Sequence, residues 1–220
     1  MDIGILYEDS EIIAVNKPEG LLTIPGREGS AEPSLLDWLA RRAGAKIFVV
    51  HRLDRPVSGA VVFARNELAH RELCQAFEAR TVEKHYLALA QGQFESFSGT
   101  INKPLREFGS GRVGVDPGGG KPSVTSYFVL EKLYGYSLLD IELVTGRRHQ
   151  IRAHFYSIGH PLVGDPEYGD PEKQACYPRL MLHSHTLRLP RAGRRALEIT
   201  APAPDSFTAV IKQLKTCGSL

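Results

Sequence analysis

Short apolar segments cut by turn residues run the length of this chain and restrict it to sheet-rich folds. Ile3–Tyr7, Ile12–Asn16, Phe48–Val50, Gly59–Ala64, Lys84–Gln91, Val124–Leu133, Tyr136–Val144, Arg179–Leu189 and Ala196–Ala201 are rich in Val, Ile, Leu, Tyr and Phe. Gly, Pro, Asn or Asp bound them, which is how strands are punctuated. Leu133-Tyr-Gly-Tyr136 fits a hairpin turn between two long strands. Helical spacing is rarer. Ser34–Arg42 aligns Leu35, Leu36 and Leu39 behind a capping Ser34, and Asn66–Ala79 aligns Leu68, Leu73 and Phe77 behind Asn66. Arg148–Ile158 aligns Ile151, His154, Phe155 and Ile158; Asp205–Leu214 aligns Phe207, Val210, Ile211 and Leu214 behind Asp205. Strands outnumber helices and do not alternate with them. The chain therefore reads as α+β, with a mixed, mostly antiparallel β-sheet flanked by helices and loops.

At 220 residues, a single domain over 1–220 is expected. With 42% hydrophobic and 24% charged residues, the composition excludes a disordered chain, a collagen-like repeat or a long rod. The longest apolar runs, Val61–Ala64 and Leu87–Ala90, fall far short of the ~20 residues that cross a bilayer. The opening residues carry Asp2, Glu8, Asp9 and Glu11 and no base, unlike a secretory signal. Cys74, Cys176 and Cys217 are odd in number and form no CxxC pair, so a reduced cytoplasmic protein without structural zinc is expected. Gly109–Pro122 is so rich in glycine that no regular structure is expected there, only a mobile loop or linker; Pro25–Pro33 is a second irregular stretch.

Net charge is only +2, but it is unevenly spread. Arg41, Arg42, Lys46, Arg52, Arg55, Arg65 and Arg71 face only Asp54 and Glu67 within residues 41–71, and residues 173–197 carry Lys173 and five arginines without an acid. Such a field can hold a polyanion without an extreme isoelectric point. Several motifs fail on inspection. Gly109-Ser-Gly-Arg-Val-Gly114 matches a dinucleotide fingerprint in letters, yet Pro117 and three glycines follow where a helix must begin. Gly120-Lys-Pro122 lacks both the earlier glycine and the hydroxyl of a P-loop, so no nucleotide cofactor is expected. His149 and His154 are five apart rather than four, and no carboxylate pair completes a site around His183 and His185, so no metal is expected. His51-Arg-Leu-Asp54 is not in the order of a kinase catalytic loop.

One constellation survives. In Val49–Ala64 two apolar strands flank a polar loop with Asp54 between Arg52 and Arg55. A neighbouring arginine favours the ionised carboxylate that a nucleophile requires. A turn aspartate bonding its own backbone is the ordinary alternative, but it leaves the crowding of two arginines unexplained. His51-Arg-Leu-Asp-Arg-Pro-Val-Ser-Gly59 resembles the HRLDxxTSG signature of the RluA-type pseudouridine synthases. Asn16-Lys-Pro-Glu-Gly20 resembles their NKPxG motif, Lys84-His-Tyr86 with Ala88 and Gly92 their KxYxAxxxG motif, and Thr145–His154 their TGRxHQIRxH motif. Gly159–Asp165 and Leu180–His183 resemble the two C-terminal motifs, so the resemblance covers residues 3–203. Val57 departs from the family threonine, and any hydrogen bond lost with that hydroxyl must come from elsewhere.

The resemblance implies a pseudouridine-synthase-like fold with a catalytic cleft across the sheet and no separate N-terminal RNA-binding domain. It implies an isomerase that converts uridine in rRNA, tRNA or both to pseudouridine, with no metal or organic cofactor. Asp54 is the implied catalytic aspartate, Arg147 its partner and Tyr86 the residue against the uracil ring, with Ile151 lining the pocket. A base inside a stem must be flipped out to react; Arg52 is implied to fill the vacated stack, with a phosphate contact as its alternative. Arg55, Arg71, Arg152 and the arginines of 188–195 are expected on phosphates, and His51 on the loop backbone within the RNA-binding face. A monomer is the default. A non-catalytic RNA-binding or chaperone protein on the same fold is the competing reading; the joint presence of Asp54, Tyr86 and Arg147 argues against it. Phe108–Pro122 and Pro25–Pro33 are candidate specificity elements.

Overall fold

A computed structural model describes residues 3–26, 32–191 and 193–217, so residues 27–31 of the Pro25–Pro33 stretch lie outside it. The chain forms two compact units, Met1–Lys84 with Ser184–Pro202 and His85–His183 with Ala203–Leu220.

In the first unit, β1 (Ile5–Glu8), β2 (Ile12–Lys17), β3 (Phe48–Val49), β4 (Ser58–Ala64), β11 (Leu182–Arg191, from Ser184) and β12 (Arg194–Thr200) form a sheet. The order is β1–β2–β4–β11, with β3 paired to β4 and β12 to β11. The β1–β2, β2–β4, β3–β4 and β11–β12 ladders are antiparallel. Every residue of β4 is buried, as a central strand covered on both faces requires. Helix α1 (Leu35–Ala43) starts on a reciprocal capping box between Ser34 and Asp37 and ends at Gly44 in the left-handed region. Helix α2 (Glu67–Glu78) starts at Asn66, whose side chain accepts the Ala69 N–H at 2.9 Å. Its Ala69 and Leu73 pack with Ile12, Val62, Leu187 and Ile199 in one core cluster.

The second unit holds the rest of β5 (Glu83–Gln91) with β6 (Ser98–Asn102), β9 (Val124–Leu133) and β10 (Tyr136–Leu143) in the antiparallel order β5–β10–β9–β6. The β9–β10 turn uses Gly135 at φ +73°, which suits a residue without Cβ. A separate ladder pairs β7 (Leu105–Glu107) with β8 (Val113–Val115). Helix α3 (Gln150–Ser157) and the short α4 (Pro171–Gln174) follow. Helix α5 (Asp205–Cys217) packs Phe207, Val210 and Leu214 against Leu89, Leu133, Val163 and Met181. The architecture is the expected α+β one, with a mostly antiparallel sheet flanked by helices.

The glycine-rich stretch departs from expectation, because Val113–Val115 is a strand within it. Main-chain pairing with Leu105–Glu107 supplies the ladder, and Asp116 closes the next turn by accepting the Gly118 and Gly119 N–H groups at 3.0 and 3.1 Å. β6 was not expected either; only Ile101 is buried in it, so no alternation marks an edge strand of this kind. β11 starts at Leu182 instead of Arg179.

Gly59 sits at φ +118°, and a Cβ there would overlap the Ser184 carbonyl of β11. The Ser184 hydroxyl donates to the Ala60 carbonyl at 3.1 Å on the same contact. Gly59→Ala is expected to cost about 3 kcal/mol or more, because it combines overpacking with a strained backbone. Urea unfolding monitored by circular dichroism measures the loss.

Candidate active site

The loop between β3 and β4 carries His51, Arg52, Asp54 and Arg55 in the first unit. Asp54 is partly buried, in a turn closed by the Val57 N–H donating to the Asp54 carbonyl at 3.0 Å. Three side chains fix this loop from behind.

Lys17 is fully buried, and its ammonium donates to the carbonyls of Pro18 (2.9 Å), Leu21 (2.8 Å) and Arg55 (3.2 Å). The Arg55 carbonyl also accepts the Gly20 N–H at 2.9 Å, and Arg55 Nε donates to the Gly20 carbonyl at 3.1 Å. The Asn16–Gly20 segment is thereby stitched to the residue after Asp54. Thr23, also buried, acts on the residue before it: its hydroxyl donates to the Leu53 carbonyl at 2.8 Å and accepts the Leu53 N–H at 3.2 Å. This is a loop-supporting hydroxyl from outside the signature, in a chain with Val57 at the family threonine position. Val57 itself is buried.

His51 is the third anchor. Its Nε2 accepts the Val62 N–H at 3.1 Å, and its ring stacks on Phe77 at 4.7 Å between centroids. Burial, helped by the nearby Lys84 ammonium, lowers its pKa from 6.5 to about 3. The ring thus ties the loop to β4 and α2. Arg52 is exposed, and Arg55 is exposed with an ion pair to Glu32 at 3.2 Å.

In the second unit Tyr86 lies on β5, 6% exposed, opposite Ile141 of β10. Arg147 and Arg148 occupy the exposed loop before α3, and Arg148 pairs with Glu107. That loop is held by Gln150, whose Oε1 accepts the Thr145 hydroxyl (2.7 Å) and the Arg147 N–H (3.1 Å). Gln150 Nε2 donates to the Val124 carbonyl (2.9 Å) and Thr125 Oγ1 (3.0 Å). The Thr125 hydroxyl then donates to His154 Nδ1 (2.8 Å), and His154 Nε2 donates to the Lys103 carbonyl (2.9 Å). The Lys103 carbonyl can only accept, which places the ring proton on Nε2 and leaves Nδ1 to the Thr125 hydroxyl; burial lowers the His154 pKa. Residue 149 adopts φ +50°, an uncommon conformation for a non-glycine residue, as the chain turns into α3. Ile151 is buried.

Arg152 is corrected. It is 4% exposed, donates to both carboxylate oxygens of Asp165 at 2.7 Å and to Glu167 at 3.0 Å, and lies 4.8 Å over the Tyr168 ring. A guanidinium spent on two carboxylates inside the protein cannot track phosphate. Arg191 is likewise engaged by Asp9 (2.8 Å) and Glu11 (2.7 Å), and the exposed Arg188 by Glu83 (3.4 Å). Thr23 and Thr125 carry no sequence signal for these roles, since a hydroxyl's partner is set by distant chain. Asp165 does lie in one of the motifs noted above. Among the described residues no cluster of three His, Cys, Asp or Glu is placed to hold a metal ion, and no helix is long and apolar enough to cross a membrane.

Thr23→Val keeps the shape and strands the Leu53 N–H and carbonyl, and is expected to destabilise by about 2 kcal/mol in urea unfolding. His51 supplies a pH dependence. The unfolded chain takes up a proton below pH 6.5 that the folded ring refuses, so stability is complete above 6.5 and is lost as pH falls toward about 3. His51→Gln should flatten that part of the stability profile measured between these limits.

The RNA pseudouridylate synthase family model matches residues 11–157. A ribosomal large subunit pseudouridine synthase D of Nitrosomonas europaea is 38% identical over 97% of this chain, which spans 65% of that relative's length. An RNA pseudouridine synthase of Zymomonas mobilis is 39% identical over 93% of this chain and 95% of its own. Among solved structures, human RNA pseudouridylate synthase domain containing 1 superposes with a TM-score of 0.79 at 28% identity, covering 98% of this chain and 95% of that one.

Proposed function

The chain belongs to the RNA pseudouridylate synthase family, and on that premise we propose that Asp54, Arg147 and Tyr86 together isomerise a flipped uridine of rRNA, tRNA or both. The N1–C1′ bond of the uridine breaks, the base rotates, and a C5–C1′ bond forms. The C5 proton leaves and N1 gains one, so the atoms balance without oxidant or cofactor. Asp54 acts on the ribose or base. Arg147 is the proposed partner of a reacting carboxylate, a role for which a planar guanidinium is suited. Tyr86 lies against the uracil, offering ring surface and a phenol that can relay a proton. Arg52 fills the vacated stack, and Ile151 lines the pocket. The protein acts as a monomer in the cytoplasm.

The observation that carries this reading is the fixation of Asp54's backbone on both sides: Leu53 by Thr23, and Arg55 by Lys17 and Gly20. A carboxylate that must meet a reacting atom gains from such preorganisation.

Tritium release from bulk tRNA and rRNA labelled at uracil C5 tests the proposal. Wild type should release label, and Asp54→Ala should release none while still binding RNA. Loss of roughly a hundredfold or more in kcat for Arg147→Lys is expected if bidentate pairing matters. Binding without release by the wild type, on both pools, would favour the binding-protein reading.

A further inference from the structure

The β7–β8 ladder and the last turns of α3 enclose a groove of about 410 Å³ in the second unit, within the size range of ligand pockets. Val113 and Ala153 form its apolar floor. Phe108 and Tyr156 stand on its walls, 44% and 49% exposed. Arg112 is exposed on the rim, its guanidinium 5.0 Å over Tyr156 and 5.1 Å over Tyr168. Among the described residues no carboxylate lines the groove.

The groove is supported from below. The fully buried Tyr168 accepts the Val113 N–H at 3.0 Å on its phenol oxygen, and its ring lies beneath the Arg152 guanidinium that Asp165 and Glu167 hold. Burial pushes the Tyr168 phenol up to about 12, so it stays neutral across the working pH range. The Phe108 ring lies against Gly114, where a Cβ would crowd it at 3.0 Å.

Two exposed rings, an apolar floor and a cation without an acid match an unpaired nucleotide: the base stacks on a ring and the phosphate meets the guanidinium. We propose that this groove binds an unpaired nucleotide of the substrate RNA, distinct from the isomerised uridine, with its base on Phe108 or Tyr156 and its phosphate at Arg112. None of Asp54, Tyr86 or Arg147 lines the groove. This rests on the reading that the chain modifies RNA, and it assigns the Phe108–Pro122 region one definite task in target selection.

The test has a binding arm and a turnover arm. Trp38 is the sole tryptophan, so Phe108→Trp in a Trp38→Phe background gives a fluorescent reporter at the groove, with Tyr156→Trp as a second position. Oligouridylate should quench it saturably, the same strand paired with oligoadenylate should not, and Arg112→Ala should abolish the response. In the turnover arm, Tyr156→Leu should raise KM about tenfold with kcat nearly unchanged, and Tyr156→Trp should restore it. Absent or duplex-equal quenching at both positions, or an unchanged KM in both Tyr156→Leu and Arg112→Ala, overturns the groove while wild-type release still supports the reaction. Quenching by a wild-type-like protein that releases no tritium would instead overturn the reaction and leave the groove standing.

Discussion

The Lys17 ammonium, buried and bonded to three carbonyls, is the contact on which the Asp54 loop rests. An ammonium has three donors and no acceptor, so enclosed among carbonyls it orders three points of chain at once. Pro18 and Leu21 belong to its own segment; Arg55 belongs to the loop some forty residues on. Burying a charge is costly unless it is fully bonded, so the contact strongly disfavours alternative loop conformations. Thr23 and His51 then complete a frame in which side-chain hydrogen bonds replace the ladder that a loop lacks.

The second unit solves the same problem with neutral groups. Gln150 spans Thr145, the Arg147 amide, Val124 and Thr125, and the chain of bonds ends through His154 on the Lys103 carbonyl. Each member uses a donor and an acceptor in one consistent direction, which is the condition under which a buried polar network rigidifies rather than weakens a fold. The arginine loop before α3 inherits that rigidity, and Arg147 stays exposed on it.

The strands with alternating or continuous apolar character were readable directly, and β9 has the bounds that its pattern suggests. The capping residues Ser34 and Asn66 announced their helices because a cap is a local interaction. What escaped was non-local. The β7–β8 ladder runs through Gly114, and its pairing is carried by backbone atoms that every residue has. Arg152 looked like a phosphate ligand because its position in a basic motif says nothing of Asp165, thirteen residues later, folding back on it. Arg191 was misjudged for the same reason, its acids lying near the other end of the chain. The backbone bond of His51 is in keeping with its loop position, but its stack on Phe77 was not legible, since that ring comes from a separate helix.

The Arg152–Asp165 pair has a bearing on descent. Removing Arg152 alone leaves the fully buried Asp165 carboxylate without its counter-ion, at a cost of about 3–5 kcal/mol, a large share of the stability of a typical domain. Replacing both by apolar residues spares that charge but strands the Glu167 and Tyr168 N–H groups that Asp165 accepts at 3.1 and 3.2 Å. A lineage can therefore leave the pair only by a near-simultaneous double change or from an unusual reserve of stability. The two positions form one heritable character, and a relative that lacks Arg152 should lack Asp165 as well.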